Sequence, residues 1–415
     1  MDTIAKYMKD KTKSVIWRYY IYCLLSNMWF IGAVLVPFFT LWGHISLFQV
    51  LILQSWYSIW YFIFEVPTGI IADKIGRKYT LTFGAFICAI GLVIYSIYPN
   101  FILFMLGEFI LALGSSLASG ADEAILYEIL KEQGVESESK KYFGLGKSFE
   151  LTGILLGGLV GGVLAASFGL NAPFYFSVIP LLIAGGIAWT LNEPKIHSDR
   201  LKKGKESIFI TLRQGYTFLL QHKTLRLLAL DSIVVSTVGY FALWLYQPLL
   251  QHLGIAIALF GLFQVLLTGT QIVASHNFTF LEKLFGSAKG YLRFSALTTG
   301  LSFLLVALFP NLVTVILFIL LAGGLGMSRS TLVSSYMQQY IPSEKRATVL
   351  SSVSTFGRLA IALCNPLVGL AATHSLQLAV LLLGLFPLLL FFFSPIEQQM
   401  LEGRENYSKT TLVNA

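Results

Sequence analysis

The chain has 415 residues, of which 56% are hydrophobic and only 12% are charged, and its mean hydropathy is +0.73. Soluble globular proteins carry about 25% charged residues, so this composition excludes an ordinary soluble protein and indicates one that lies mostly in a membrane. The net charge of +8 is concentrated in a few segments. This favours contact with anionic lipid headgroups over binding of nucleic acid.

Apolar runs long enough to cross a bilayer, roughly 20 residues each, recur along the whole chain. The sequence therefore predicts an all-α membrane protein with twelve transmembrane helices. The predicted helices span 17–41, 46–72, 79–98, 101–130, 142–168, 172–191, 224–252, 255–284, 290–309, 312–340, 346–373 and 376–393.

Positive charge alternates between the gaps that separate these runs. Every second gap has neither Lys nor Arg, and these bare gaps lie at His44, Pro99–Asn100, Gly169–Asn171, His252–Gly254, Pro310–Asn311 and His374. Positively charged loops stay on the cytoplasmic side of a membrane. The pattern predicts a protein of the cytoplasmic (inner) membrane with both termini in the cytoplasm.

The one long polar connection divides the predicted helices into two sets of six. We expect an N-terminal six-helix bundle at 1–191, a basic cytoplasmic linker at 192–223, a C-terminal six-helix bundle at 224–395 and a cytoplasmic tail at 396–415. Equal halves of this kind are typical of transporters that contain an internal repeat.

The apolar runs of the third, sixth, ninth and twelfth predicted helices contain no charged residue, so we expect those four helices to face lipid and the others to surround a polar centre. A carboxyl group buried away from water is easier to protonate, as a proton carrier requires. The proton-coupling candidates are Glu65, Asp122, Glu123 and Glu150. The alternative is that they form static ion pairs, for example with Lys147, Arg329 or Arg358.

The end of the second helix carries a recognisable motif, Gly69-Ile-Ile-Ala-Asp73-Lys74-Ile-Gly76-Arg77-Lys78-Tyr-Thr-Leu81. It resembles the signature loop between the second and third helices of the major facilitator superfamily. Two further segments, 65–69 and 346–351, resemble a bacterial branch of that superfamily whose members are mostly drug-efflux-like or of unknown substrate. The resemblance implies a fold of two pseudo-symmetric six-helix bundles that work by alternating access about a midplane site.

The resemblance also implies a cytoplasmic latch, for which the candidate residues are Gly69, Asp73, Gly76, Arg77, Lys78 and Glu128. The glycines would permit close helix approach and a tight turn. Asp73 would meet the start of the eleventh helix near Thr348 and Ser351, and Arg77 would pair with an acid at the cytoplasmic end of the fourth helix, where Glu128 has the right depth. The alternative is a loop that only anchors the topology.

The fifth helix carries a glycine motif, with Gly157-Gly158 where the superfamily's antiporters have Gly-Pro. An antiport motif and simple close packing of helices through small residues both remain open for it.

Arginines, acids, aromatic residues and amides near mid-span are candidates for a substrate cavity. They are Arg329, Arg358, Glu108, Phe30, Tyr61, Tyr240, Gln247 and Gln264. The arginines would attract an anionic substrate, whereas the acids would attract a lipophilic cation.

The preferred functional hypothesis is secondary active transport of a small amphipathic molecule, as proton-coupled efflux by a monomer. The alternative is proton-coupled transport of a specific anionic metabolite or siderophore-like compound. A membrane enzyme is disfavoured, because the sequence has no HExxH, GxSxG or P-loop motif and no His/Cys cluster. A non-transporting sensor is disfavoured, because we expect no appended soluble domain through which it could signal. We expect no catalytic residues, metal or cofactor.

Overall fold

The structure is a computed structural model that describes residues 2–132, 134–135, 138–193, 208–342 and 345–402. Within these ranges the chain is helical without strands, and twelve helices are long and apolar enough to cross a membrane. Numbered in chain order, they are α1 (Asp2–Ser26, Phe30–Val34, Leu35–Pro37 and Phe38–Trp42), α2 (Leu47–Ile75), α3 (Arg77–Ile97), α4 (Phe101–Ala118 and Ala121–Glu132), α5 (Ser139–Phe168), α6 (Ala172–Trp189), α7 (Lys223–His252), α8 (Ile257–Leu259, Phe260–His276 and Phe278–Leu284), α9 (Ala288–Leu308), α10 (Leu312–Phe318, Ile319–Gly326, Met327–Met337 and Gln338–Tyr340), α11 (Arg346–His374) and α12 (Leu376–Phe393).

The predicted fold class is confirmed, and most predicted helix ends lie within three residues of the observed ones. Three differences have physical reasons. The first helix begins at Asp2 because apolarity marks only the part of a helix that lies in lipid. The fourth is interrupted before Ala121, where Gly120 adopts a φ of +73°. A further helix, Ile208–Gln221, lies in the predicted linker and was missed.

Polar side chains fix the start of several helices next to the bare gaps. Ser46 begins α2 with a capping box, in which its hydroxyl accepts from the Gln49 N–H and the Gln49 side chain accepts from the Ser46 N–H. The side chain of Asn100 accepts from two backbone N–H groups of α4, and that of Ser375 accepts from Leu378 in α12. These caps satisfy N–H groups that a helix start leaves without partners.

The chain clusters into two compact units. Unit 1 consists of Met1–Lys205, Leu250–Thr268 and Ala362–Thr373, and unit 2 of Glu206–Leu249, Gly269–Ile361 and His374–Ala415. The predicted domain limits stay predictions, and 194–207 and 403–415 lie outside the described residues.

Unit 1 is built on close contacts of α3 with α4 and α6, of α2 with α4, and of α1 with α5 and α6. At the α3–α4 contact a Cβ on Gly84 would lie 2.8 Å from the Gly114 carbonyl oxygen. An aromatic core, with ring centroids about 4–6 Å apart, fills the space beside it. It consists of Phe38, Phe39, Tyr95, Phe104 and Phe174.

Unit 2 repeats this kind of packing between α9 and α12, where a Cβ on Gly300 would lie 2.9 Å from the Gly384 carbonyl oxygen. The helix Ile208–Gln221 packs against the first turns of α11, because Gly215 leaves room for Ser352 and Tyr216 contacts Phe356 at 5.5 Å between ring centroids. The ninth helix carries charge near its start, at Lys289 and at the exposed Arg293 of α9, so its charge-free run begins only at Phe294.

Candidate functional site

The predicted latch contains a buried ion pair. Nη1 of Arg77, at the start of α3, lies 3.0 Å from Oε1 of Glu128 near the end of α4, and their side chains are 7% and 3% exposed. The pairing expected from depth along the helix is thus present. The contact does not by itself test whether this pair acts as a latch, so that role stays a prediction.

The latch loop has a second carboxylate, Glu193, which sequence reasoning missed. Its two oxygens accept hydrogen bonds from the backbone N–H groups of Arg77 at 2.8 Å and Lys78 at 2.9 Å, where the helix dipole favours a negative charge. Gly76 has a φ of +112°, and a Cβ there would lie 2.9 Å from Cδ of Glu193. The motif therefore needs glycine at this position both for its backbone conformation and for space.

The remaining latch residues are placed as follows. Asp73 is partly buried in the last turn of α2, and its expected contact with α11 stays a prediction. Nζ of Lys78 lies 5.6 Å from the Trp189 ring centroid. The expectation of close helix approach at Gly69 is wrong, since a Cβ there would meet no described atom within 4 Å.

The four proton-coupling candidates do not line either of the two cavities described below, as far as the described residues go. Glu65 and Asp122 are partly buried, and Glu123 is exposed. Oε1 of Glu150 lies 2.6 Å from Nζ of Lys147 on the same helix, with side chains 30% and 62% exposed. This last contact is the predicted ion-pair alternative for Glu150.

Glu108 of α4 is an acid that lines a cavity. It is 5% exposed, and Nε2 of Gln54 in α2 donates a hydrogen bond to its Oε1 at 2.7 Å. The cavity lies within unit 1 and has a volume of about 220 Å³, whereas a single water needs on the order of 10–15 Å³. Its lining is Trp29, Ile31, Gly32, Leu35, Gln54, Tyr57, Tyr95, Glu108, Leu111 and Phe174. We call it the aromatic cavity.

Charge distinguishes Glu108 from the other buried acids. Among the described residues three carboxylates are buried, Glu108, Glu128 and Asp231. Glu128 and Asp231 each form an ion pair with an arginine. Within the described part of the chain Glu108 has no ion pair, only neutral neighbours such as Gln54, Tyr57 and Tyr95.

Gln264 of α8 lies beside the aromatic cavity, in the part of α8 that belongs to unit 1. It is 7% exposed and packs against Gly32, where a Cβ would lie 2.6 Å from its Nε2. It also packs against Gly158 of α5, where a Cβ would lie 3.0 Å from its Cδ. Its Oε1 is buried and has no hydrogen-bond partner among the described residues.

The α5 glycines face two different neighbours. A Cβ on Gly157 or Gly161 would overlap the backbone carbonyl of Trp29 or Phe30, where α1 is interrupted. A Cβ on Gly162 would lie 2.9 Å from the Ala258 carbonyl oxygen at the start of α8. These glycines therefore permit close approach of α1 on one face of α5 and of α8 on the other.

Arg329 is held by the protein itself. Its Nη2 donates to both carboxylate oxygens of Asp231 in α7 at 2.7 Å, and its Nε donates to Oδ2 at 2.9 Å. Its Nη1 donates to Oγ of Ser295 at 2.6 Å and to the carbonyl of Leu292. Because all three of its nitrogens donate within unit 2, the structure favours a structural ion pair over the predicted role as a substrate ligand.

Arg358 lies at a different place, on a second cavity within unit 2. This cavity has a volume of about 230 Å³ and is lined by α7, α10 and α11. We call it the serine cavity, after the hydroxyl groups that surround the guanidinium. Its lining is Ser232, Ile233, Ser236, Ser330, Ser334, Met337, Leu350, Val353, Ser354, Gly357, Arg358 and Ile361.

Four further cavity candidates lie outside both linings. Phe30 follows the interruption of α1, and its backbone N–H donates to Oγ of Ser177 at 2.9 Å. Tyr61 stacks loosely on Tyr57, with ring centroids 5.9 Å apart. In unit 2, Tyr240 contacts the rings of Phe241 and Trp244, and buried Gln247 donates to the hydroxyl of Tyr246 at 3.1 Å.

Sequence reasoning missed most residues that shape the two cavities. For the serine cavity a signal existed, since pairs four residues apart recur on three helices, at 232/236, 330/334 and 354/358, and residues with this spacing share one helix face. For Gln54, Tyr57 and Tyr95 the sequence has no comparable signal, because aromatic and amide residues are common in this chain.

The sequence profile of the Major Facilitator Superfamily matches residues 19–363. The chain belongs to this superfamily. A fold comparison agrees: the crystal structure of the nucleoside transporter NupG superimposes with a TM-score of 0.75, at 14% identity, over 94% of this chain and 99% of that one. Together with the twelve membrane helices, this makes the chain an integral membrane protein.

Related sequences cover shorter stretches of the chain. An uncharacterised MFS-type transporter of Methanocaldococcus jannaschii, MJ1560, is 24% identical over 144 residues, which is 35% of each chain. The L-fucose-proton symporter of Escherichia coli is 28% identical over 158 residues, again 35% of each chain. The chain thus matches about a third of the length of these relatives.

Proposed function

We propose that this chain is a secondary active transporter that exports a small amphipathic molecule across the cytoplasmic (inner) membrane, in exchange for protons. It would work by alternating access, as a monomer with both termini in the cytoplasm. Membership of the superfamily and the transporter names of its relatives support transport. Proton coupling is supported by the symporter among them, and export by the drug-efflux-like segments at 65–69 and 346–351.

The observation that carries the proposal is Glu108 in the aromatic cavity. A carboxyl group surrounded by aromatic rings and neutral hydrogen-bonding groups has no cation among the described residues of its lining to hold it ionised, so protonation removes the cost of a buried charge. Aromatic walls suit the apolar part of an amphipathic substrate. One cavity therefore supplies both a protonatable group and a surface for the substrate.

The cycle we propose uses Glu108 as the group that binds either a proton or the substrate. Protonation would weaken substrate binding, and deprotonation would restore it. Gln54 positions the carboxylate, and Gln264, which contacts Gly32 of the cavity wall, brings α8 to the same place. The ion pair of Arg77 and Glu128 would break and re-form with each change of access.

The test uses everted membrane vesicles whose interior is acidified by respiration, with a fluorescent dye that reports the pH gradient. The probes are benzenesulfonate, benzyl alcohol and benzyltrimethylammonium, which share one aromatic ring and differ in charge. We expect at least one probe to dissipate the gradient through the wild type, and the Glu108→Gln variant to lose this response. Glu132→Gln, an exposed acid on the same helix, is the matched control.

The alternative, that another acid carries the proton, is tested by replacing each of the four other candidate acids with its amide. If Glu108→Gln keeps the full response while a variant at Glu65, Asp122, Glu123 or Glu150 abolishes it, Glu108 is not the proton carrier. If no probe moves protons through the wild type, proton-coupled efflux of aromatic amphiphiles is the wrong function.

A second candidate is proton-coupled transport of one specific anionic metabolite or siderophore-like compound. The specific observation in its favour is the guanidinium of Arg358 on the serine cavity. A deletion strain discriminates the two candidates. Sensitivity to several unrelated drugs favours the exporter, whereas a growth defect rescued by one nutrient or chelator favours the metabolite transporter.

A further inference from the structure

A small cleft opens in unit 2 where α9 begins and α12 ends. Three of its lining side chains are cationic, those of Lys289, Arg293 and Arg329, and one, that of Asp231, is acidic. Apolar residues and the hydroxyl of Ser394 complete the described lining. We call it the basic cleft. It shares no described lining residue with the aromatic cavity or the serine cavity, so it is a separate feature of the molecule.

The protein neutralises only one of the three cations. Arg329 pairs with Asp231, and both side chains are 3% exposed. The side chains of Lys289, which is half-buried, and Arg293, which is exposed, form no ion pair within the described part of the chain. Oγ of Ser394 only accepts, from the backbone N–H two residues later at 3.4 Å, so its O–H is available to donate. The basic cleft therefore has an excess of positive charge and of donors.

The corresponding place in unit 1 has an acid that unit 2 lacks. There α3 is in extensive contact with α6, as α9 is with α12, and Glu193, which follows α6, accepts from the first N–H groups of α3. Gln398, which follows α12, accepts in the same way from the Lys289 N–H at 2.9 Å. Glu402, an exposed acid, accepts from Nε2 of Gln398 at 2.8 Å but does not line the basic cleft. A neutral amide thus replaces the carboxylate, and an external anion would supply the missing charge.

The size of the basic cleft restricts the kind of anion. Its volume is about 10 Å³, and a single water needs on the order of 10–15 Å³, so most of any ligand must lie outside it. The last two turns of α12, which contribute Leu390 and Ser394 to the lining, also expose a set of large apolar side chains. They are Leu389, Phe392 and Phe393, which are 53%, 67% and 77% exposed. An anionic group attached to hydrocarbon chains matches both the charge and the surrounding surface.

We propose that the basic cleft binds the phosphate of an anionic phospholipid. Lys289 and Arg293 bind the phosphate oxygens, the hydroxyl of Ser394 donates a further hydrogen bond, and the acyl chains lie along α9 and α12. This inference concerns a lipid partner and does not depend on the identity of the transported molecule.

The depth of the two cations agrees with a headgroup site. Helix α9 has 21 residues and is thus about 30 Å long, which is the thickness of a bilayer core. Lys289 and Arg293 lie in its first two turns, and α9 follows a basic gap, which the charge pattern assigns to the cytoplasmic side. Basic pockets between membrane helices on that side bind anionic headgroups.

The experiment compares lipids that differ in headgroup charge. Full-length protein in a neutral detergent is mixed with phosphatidylglycerol or phosphatidylcholine of identical acyl chains, and bound lipids are counted by native mass spectrometry over a range of concentrations. We expect a first phosphatidylglycerol to bind more tightly than any phosphatidylcholine. Because each cation near a lipid headgroup adds to the attraction, the double variant Lys289→Gln/Arg293→Gln is expected to weaken that binding about tenfold or more.

Two matched controls separate the site from general charge. The double variant Lys131→Gln/Lys283→Gln removes the same charge from exposed positions and is expected to keep wild-type binding. Gln398→Glu gives unit 2 the acid that unit 1 has and is expected to weaken binding, whereas Gln399→Glu, at the exposed neighbour, is not. Because Gln398→Glu leaves both cations in place, it remains informative if Lys289→Gln/Arg293→Gln does not fold.

Three results would overturn the inference. One is equally tight binding of phosphatidylcholine and phosphatidylglycerol. Another is phosphatidylglycerol binding that both Lys289→Gln/Arg293→Gln and Gln398→Glu leave unchanged. The third is displacement of phosphatidylglycerol by inorganic phosphate at the same concentration as the lipid, which would show that the basic cleft binds a free anion and not a lipid.

Discussion

At the residue scale, each unit contains a buried arginine–carboxylate pair. Arg77 pairs with Glu128 in unit 1, and Arg329 pairs with Asp231 in unit 2, with every side chain at most 7% exposed. A buried pair contributes little net stability. Removal of one partner, however, leaves a buried charge without compensation and lowers the free energy of unfolding by about 3–5 kcal/mol. These pairs therefore constrain the structure more than they stabilise it.

The latch pair can be tested with a double-mutant cycle. We expect Arg77→Gln and Glu128→Gln each to lower the free energy of unfolding by about 3–5 kcal/mol, and the double variant to lower it by less than their sum. Unfolding by SDS in mixed micelles provides the measurement. The control is the exposed pair of Lys147 and Glu150, worth about 0.2–1 kcal/mol at most. Additive effects for Arg77 and Glu128 would contradict the coupling.

The pair in unit 2 makes a different prediction. Arg329→Gln leaves Asp231 as an uncompensated buried charge, so we expect a large loss of Tm. Asp231→Asn in the same chain removes that charge, and we expect it to restore part of the loss. If the second substitution lowers the Tm further, Asp231 does not serve mainly as the partner of Arg329.

The sequence predicts some of these residues and misses others for a clear reason. The partner of Arg77 was found because depth along a helix is readable from position, and Glu128 has the right depth. Asp231 and Arg329 are 98 positions apart, and sequence does not reveal which faces of α7 and α10 meet. Arg329 was consequently interpreted as a substrate ligand. For the same reason Glu108 was grouped with the cavity and not with the proton carriers.

At the scale of elements, the glycines of α5 determine how closely α1 and α8 approach it. We expect Gly161→Ala to destabilise the protein, because its Cβ would overlap the Phe30 carbonyl and force a shift that costs about 1–3 kcal/mol. Gly186→Ala in α6 is the control, since a Cβ there meets no described atom within 4 Å. Thermal unfolding of the two variants measures the difference. Equal Tm values would show that α5 packing tolerates the extra atom.

Helix positions were predictable because a membrane span needs a minimum number of apolar residues. The interruptions were not, because they depend on backbone conformation. Gly120 interrupts α4 with a positive φ, and Ile319–Gly326 forms a π-helical segment within α10. Apolar residues flank both interruptions, so hydropathy alone does not reveal them. The helix Ile208–Gln221 was missed because it is too short to span a bilayer and lies in a basic segment.

For the whole molecule, the alternation of charged and bare gaps predicts the orientation. In a chain from which Cys23, Cys88 and Cys364 have been replaced, we expect Asn100→Cys to react with a membrane-impermeant maleimide in intact cells. Glu132→Cys, at a basic gap, is expected to react only after permeabilisation. Both positions are exposed, so burial does not account for a difference. The reverse labelling pattern would invert the topology and the direction of proton flow.

The whole fold was largely predictable, whereas the site was predictable only in part. Length and periodicity of apolar runs, together with the motif at 69–81, were sufficient for twelve helices and the superfamily. The aromatic cavity required knowledge of which helices meet, as between Gln54 and Glu108 on α2 and α4. Unit 1 also contains parts of α7, α8 and α11 next to bare gaps, a grouping that chain order does not suggest.

The central claim is that substrate movement is coupled to protons through Glu108. It is tested most directly with purified protein in proteoliposomes, by uptake of radiolabelled benzyltrimethylammonium, the cationic probe that an ionised Glu108 can bind, with and without an imposed gradient, acidic inside. We predict that the gradient drives accumulation in the wild type, and that Glu108→Gln retains exchange between labelled and unlabelled probe but loses accumulation. Equal wild-type uptake with and without the gradient, or gradient-driven accumulation in Glu108→Gln, would contradict the account.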